Sequence, residues 1–288
     1  MKLLILGATG MLGHILWEEA RKRPIDAYAT IRRMPPGLEE FFPRGRVVIG
    51  VYAEHYETVS AALNEVHPNT VLNCIGVVKQ SSEINDPIKT ITINSLFPHV
   101  LSRDCSELGI RLVHMSTDCV FSGKRGLYNE SDQPDPTDFY GRSKLMGEPS
   151  RENTLTIRTS MFGPELGKRQ GLLEWFLAQK EGIVRGFGNA VFSGFYTRSL
   201  ADLILDIVCH YSISGLRHLS ADPISKLVLL EKVRDACRLP IHIVPDESVR
   251  LDRSLDSTMI RNECHIQVPS WDAMIDMLAV DLKKEGRV

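Results

Sequence analysis

The sequence predicts an α/β protein: a Rossmann-type, doubly wound parallel sheet with a smaller C-terminal substrate-binding lobe. Three observations carry this. A wholly apolar run, KLLIL at residues 2–6, enters a glycine turn, Gly7-Ala-Thr-Gly10-Met-Leu-Gly13, that opens a helical pattern. Short apolar runs then alternate with helix-spaced segments up to about residue 160. One of those runs stops at Ser116-Thr117-Asp118, and Tyr140 and Lys144 follow, four apart on a predicted helix.

The elements are expected in this order. Residues 2–6 form a strand and 14–23 a helix. Residues 26–31 and 46–49 read as the second and third strands, with a helix at 54–66 that Pro68 ends. Residues 70–75 form a fourth strand stopping at Gly76. A long helix opens at Asp86-Pro87 and runs to Leu108, with Gly109 as its C-cap and Pro98 as a kink point. Strands follow at 111–115 and 154–158, flanking the helix that begins near Tyr140. Beyond Ser160 the alternation is less regular. Helices are expected at 171–180, 198–211, 225–237 and 271–282, short strands at 216–220 and 241–244, and a short, glycine-flanked element at 189–196. The expected division is a nucleotide-binding domain over 1–160, together with about 186–213, and a substrate-binding lobe from 161–185 and 214–288.

Composition bounds the function. The 288 residues are 43% hydrophobic and 24% charged, an ordinary globular balance. A net charge of −2 gives no electrostatic case for nucleic acid. Six scattered cysteines form no C-x-x-C pair, which argues against a zinc site and fits reduced thiols in a cytoplasm. No clustered carboxylates predict a metal. No apolar run approaches the ~20 residues of a membrane span, so no membrane partner is expected.

The glycines suit a dinucleotide. Gly7 and Gly10 allow the tight turn and close backbone approach, Gly13 lets the helix pack on the strand, and the helix N-terminus offers N–H groups to a pyrophosphate. No acid ends the second strand; Arg32 and Arg33 do. An Arg there accommodates a 2′-phosphate, so NADP(H) is preferred over NAD(H). The fourth strand's end, Cys74-Ile75-Gly76, should face the cofactor, as should Asn94 on the long helix's inner face. Tyr140 beside Lys144 is an acid whose phenol, near ~10 when free, is lowered by a neighbouring cation. Near working pH it can deliver a proton to a carbonyl. Lys79 sits in a loop that could reach a substrate, although most loop lysines are only solvated.

Taken together, GATGMLG, NCIG (73–76), Ile93-Asn94, STDCVFSG (116–123), Tyr128-x-Glu130, YGRSKLMGE (140–148) and IRTS (157–160) resemble the extended short-chain dehydrogenase/reductases, and most closely the dTDP-4-dehydrorhamnose reductases. The resemblance is strong over residues 1–165 and loose beyond. It implies that Tyr140 protonates a keto oxygen, that Lys144 holds the nicotinamide ribose and that Thr117 hydrogen-bonds the keto oxygen with Ser116 behind it. It also places Met11 and Leu12 with the glycines around the diphosphate. Asp118 orients the loop or touches substrate; Trp175 could wall the sugar or base site. Met161 stands where these reductases usually carry Trp against the sugar, so the sugar's identity is open. The implied substrate is a nucleotide-activated 4-keto-6-deoxy sugar, and a homodimer is left open. Two alternatives remain: a nucleotide-sugar epimerase or dehydratase holding NAD, and a non-catalytic regulatory subunit that keeps the fold.

Overall fold

The computed structural model describes residues 1–167, 169–179 and 181–288. The chain divides into two compact units. The first holds residues 1–116, 138–157 and 201–216, the second 117–137, 158–200 and 217–288.

The first half alternates as the apolar runs require. β1 (Lys2–Leu6) leads into α1 (Met11–Arg21), then β2 (Asp26–Ile31), β3 (Val47–Ile49), α2 (Tyr56–Val66) and β4 (Thr70–Asn73). Next come α3 (Pro87–Ile91), a π-helical turn (Thr92–Leu96), α4 (Phe97–Glu107), β5 (Arg111–Thr117), α5 (Phe139–Met146) and β6 (Thr154–Thr159). In the second half lie β7 (Met161–Phe162), α6 (Leu172–Leu177), β8 (Ile183–Phe187), β9 (Ala190–Phe192), β10 (Phe195–Tyr196), α7 (Thr197–His210) and β11 (Gly215–His218). The chain closes with β12 (Ile224–Ser225), α8 (Lys226–Cys237), β13 (His242–Asp246), β14 (Leu251–Asp252), α9 (Thr258–Glu263) and α10 (Trp271–Lys284).

Seven strands form one sheet in the order β11-β6-β5-β4-β1-β2-β3. β1 pairs in parallel with β2 on one side and β4 on the other, Leu6 lying opposite Asn73. The strand order therefore reverses at β1, the switch point outside which ligands bind in doubly wound sheets. β1 and β5 are buried almost throughout, as strands covered on both faces must be. The core on one face joins Leu4, Leu6, Val71 and Leu112 to Val59 and Leu63 of α2 and Leu101 of α4.

Several element ends differ from the expected ones for physical reasons. α1 starts three residues early, at Met11 directly after Gly10. β4 ends at Asn73 because its Oδ1 accepts from Ile75 N–H at 3.1 Å and turns the chain out. The expected long helix is interrupted by the π-helical turn before Pro98, so the irregularity precedes the proline. The helix expected over 171–180 is Leu172–Leu177, and its expected last residue, Lys180, lies outside the described residues. Five short elements, β7, β8, β12, β14 and α9, were not expected. In the second unit Trp271 packs on Phe162 and Phe192, with ring centroids 5.9 and 5.8 Å apart.

Candidate functional site

The glycine turn and the strand ends enclose a cavity of about 170 Å³. Its lining includes Gly7 and Gly10 from the turn, Thr30 and Arg32 from the end of β2, and Cys74, Ile75 and Gly76 after β4. Gly7 adopts φ +79°, a conformation that costs glycine little. Gly10 is the N-cap of α1 and no side chain caps that helix end. By contrast Asp86, Asp138, Ser225 and Ser270 cap α3, α5, α8 and α10 with their side chains. An uncapped helix start beside a cavity leaves backbone N–H groups for an anion. Met11 opens α1; Leu12 is buried. Gly13 packs so tightly on the turn that a Cβ there would sit 2.3 Å from Gly7 O. Arg32 is exposed yet lines the cavity; Arg33 is exposed and outside its lining.

A second cavity, of about 510 Å³, is lined by Lys79, Ile84, Asn85, Pro87, Asp138, Phe139 and Tyr140. Asp138 starts α5: its Oδ1 accepts from Gly141 N–H at 2.8 Å. Its Oδ2 accepts from Lys79 Nζ at 2.7 Å, so the expected substrate-reaching lysine is tied to the helix cap. Tyr140, half-buried, is the helix's second residue, and Lys144 lies one turn on, on the same face.

The rest of the YGRSKLMGE segment docks this helix. Asn94 Nδ2 donates to Ser143 Oγ at 3.1 Å, and Ser95 Oγ donates to Ser143 O at 2.8 Å. A Cβ at Gly147 would fall 1.8 Å from Asn94 O, so only glycine lets the helix end rest on the π-helical turn. Asn94 also brackets Val77, accepting from its N–H at 2.8 Å and donating to its O at 2.9 Å. Both of its amide protons thus brace the scaffold in this geometry. Sequence reasoning missed Asp138, Ser143, Gly147 and Glu148; an Asp just ahead of a helix is an N-cap signal that was there to read.

Lys144 is buried, its Nζ donating to Met115 O at 2.7 Å. Burial lowers its pKa to about 8, against the opposing pull of Glu148 and Cys74. Glu148 itself accepts from Ser116 Oγ at 2.5 Å. Burial also drives His114 well below its ordinary range. It stays neutral, and Asn73 Nδ2 lies 3.1 Å from its Nδ1. Cys74 is half-buried, its thiol pushed up to about 12 by desolvation.

The lysine makes a testable contribution to stability. Unfolded, it keeps its proton to about 10.5; folded, it releases it near 8. Between those values the unfolded chain binds more protons, so this contribution rises with pH from about 8. The thiols of Cys74, Cys105 and Cys119, pushed from 9.0 to about 12, oppose it above pH 9. From pH 8 to 9 the wild type should therefore gain about 1 kcal/mol relative to Lys144→Met in urea unfolding. Parallel pH slopes in the two proteins would show that no costly charge is held there.

In the second unit Thr117 Oγ1 donates to Asp118 Oδ1 at 3.2 Å and accepts from Cys119 N–H at 3.2 Å. Burial raises the Asp118 carboxyl, opposed by Arg253 and by hydrogen bonds from Cys119 and Thr117. Met161 lies in β7; Trp175 is exposed on α6. Among the described residues there is no group of three or more His, Cys, Asp or Glu that could hold a metal ion. Nor does any described helix have the length and apolarity to cross a membrane.

Comparison with known proteins gives a consistent picture. The family model described as RmlD substrate binding domain matches residues 1–282. A dTDP-4-dehydrorhamnose reductase of Burkholderia thailandensis is 28% identical over 207 residues, 70% of this chain and 64% of that protein. Methionine adenosyltransferase 2 subunit beta of Rattus norvegicus is 28% identical over 148 residues, 51% of this chain and 41% of that one. Among solved structures, a hypothetical dTDP-4-dehydrorhamnose reductase from Sulfolobus tokodaii superposes with a TM-score of 0.75 at 26% identity, over 91% of this chain and 94% of the other. The chain spans about half the length, or less, of several curated relatives it matches.

Proposed function

Because the chain belongs to the RmlD substrate binding domain family and is related to dTDP-4-dehydrorhamnose reductases, we propose that it is an NADPH-dependent reductase of a nucleotide-activated 4-keto-6-deoxy sugar. The observation that carries this is the pairing of an uncapped helix start on a glycine-lined cavity with a Tyr–Lys pair on a docked helix. The glycine positions fit a nicotinamide dinucleotide. A Cβ at Gly10 would meet only Gly7 O, at 3.4 Å, so the cavity side of the turn is open to close backbone approach. Gly7, Gly10 and the first N–H groups of α1 would hold the diphosphate, and Arg32 a 2′-phosphate. When bound, the cofactor supplies a hydride to the sugar's C4.

The chain's own residues supply the rest. Tyr140 gives its phenolic proton to the keto oxygen as that oxygen gains charge, and the product is an alcohol. Lys144, cationic below about pH 8, favours the phenolate left behind and offers N–H groups to the ribose. Thr117 is the reading's second donor to the keto oxygen, its hydroxyl turning away from Asp118. The Lys79–Asp138 pair holds the helix cap rather than reaching freely for substrate, so Lys79 acts on the sugar only if that pair opens.

The test is calorimetric titration of NADPH and NADH into the protein, followed by a screen of dTDP-4-keto sugars for nucleotide oxidation. Arg32→Ala should weaken NADPH by ~10-fold or more, the scale of one charge-assisted contact, with NADH within about 2-fold. Arg33→Ala should do little, since Arg33 lies outside the cavity lining. Equal loss of both nucleotides in Arg32→Ala would remove the 2′-phosphate assignment. NADH binding alone would favour the epimerase reading. The partial match to an adenosyltransferase subunit favours a second reading, a regulatory subunit. Its signature would be no turnover with any keto sugar, together with binding to a larger enzyme.

A further inference from the structure

We propose that Glu83 is a specificity-determining residue of the nucleotide cavity, engaging Arg32 in a contact that a ribose 2′-phosphate must replace. This rests on the NADP(H) reading above. Arg32 is the one basic residue in the cavity's described lining, and Glu83 and Glu54 are its two acids. Arg32 Nη1 lies 3.9 Å from Glu83 Oε1. The two arrive from distant parts of the chain, Arg32 from the end of β2 and Glu83 from a 3₁₀ turn at Ser82–Asn85.

The backbone at Glu83 is fixed. Its N–H donates to Ser81 Oγ at 3.2 Å, and its carbonyl accepts from Asp86 N–H at 3.1 Å and Thr90 Oγ1 at 3.2 Å. Its carboxylate has a second partner, Lys89, whose Nζ donates to the same Oε1 at 2.5 Å and lies 3.9 Å from Glu54. Lys89 is not in the lining, whereas Arg32 is. The arrangement is an exchange in waiting. A phosphate dianion entering beside Arg32 offers it a shorter, charge-assisted contact, while Glu83 stays ionised and paired with Lys89. Glu83 then stands as a like charge close to the phosphate, and each nucleotide that carries one meets that opposition. A nucleotide with a free 2′-hydroxyl leaves the Arg32–Glu83 contact in place, and the carboxylate is an acceptor for it.

The side chains are partly solvated, so the effect belongs at the several-fold level. In Glu83→Gln, NADPH should bind about 3- to 10-fold more tightly and NADH unchanged or more weakly. Part of the gain should vanish when Arg32 is also Ala, because the two sites are coupled. Thermal unfolding of Glu83→Gln should match the wild type, since glutamine keeps the shape. NADPH binding that is unchanged or weaker in Glu83→Gln, beside measurable wild-type binding, would overturn the assignment and leave the reductase reading standing. A wild type that binds neither nucleotide would sink that reading and take this one with it.

Discussion

Tyr140→Phe is expected to cut turnover with a reducible keto sugar by at least ~10²-fold, the scale of losing a positioned general acid. The substitution removes one hydroxyl and leaves the ring. Other groups hold the helix in place. Asp138 caps it, Asn94 and Ser95 bind Ser143, and Gly147 seats its end on the π-helical turn. The variant should therefore fold normally and bind NADPH within about 3-fold of the wild type, because the nucleotide cavity's described lining does not include Tyr140. The loss should fall on kcat. Near-normal turnover with intact nucleotide affinity would mean that the proton comes from elsewhere, and the assigned chemistry would be wrong. A loss of folding would show instead that the hydroxyl has a structural duty, and Tyr140→His, which keeps a proton donor, would then separate the two roles.

How far the sequence reaches depends on the length scale of each feature. Elements with a period were legible. β2 was expected over the residues it occupies, and α2 and α7 within two residues at their ends. The doubly wound sheet followed from their alternation, and solved structures with this fold superpose on the chain. Elements too short to show a period were not legible: β7 and β14 have two residues each. The π-helical turn was hidden for a related reason. One extra residue per turn, confined to Thr92–Leu96, shifts the apolar pattern too little to separate from a proline kink. In the candidate site, motif residues such as Gly7, Tyr140 and Lys144 could be read locally. Partnerships across long separations could not. No spacing rule links Arg32 to Glu83, Lys79 to Asp138 or Ser116 to Glu148; each exists only because the sheet order brings distant loops together. Asn94 shows the limit from the other side. Its place on the inner face was legible, but the use of its amide by Val77 and Ser143 was not.

Gly13→Ala should be the more damaging of two single methyl additions at the glycine turn. The added Cβ would lie 2.3 Å from Gly7 O and 3.0 Å from Ala8 Cα, both backbone atoms of the turn that must cradle the diphosphate. No flexible side chain can yield there. The turn and α1 must separate by about 1 Å, at an overpacking cost of ~1–3 kcal/mol. The same shift moves the N–H groups offered to the diphosphate, so NADPH affinity should fall by ~10-fold or more, the scale of one lost charge-assisted contact, while thermal stability also drops. Gly10→Ala separates the two effects. Its Cβ would meet only Gly7 O, at 3.4 Å, an ordinary contact. The fold should therefore keep its stability while the methyl group blocks the approach of the ligand. Calorimetry and thermal unfolding on both variants give the comparison: both measures fall for Gly13→Ala, affinity alone for Gly10→Ala. If NADPH binds Gly10→Ala as tightly as the wild type, the diphosphate does not rest on this turn, and the nucleotide must be sought elsewhere on the sheet.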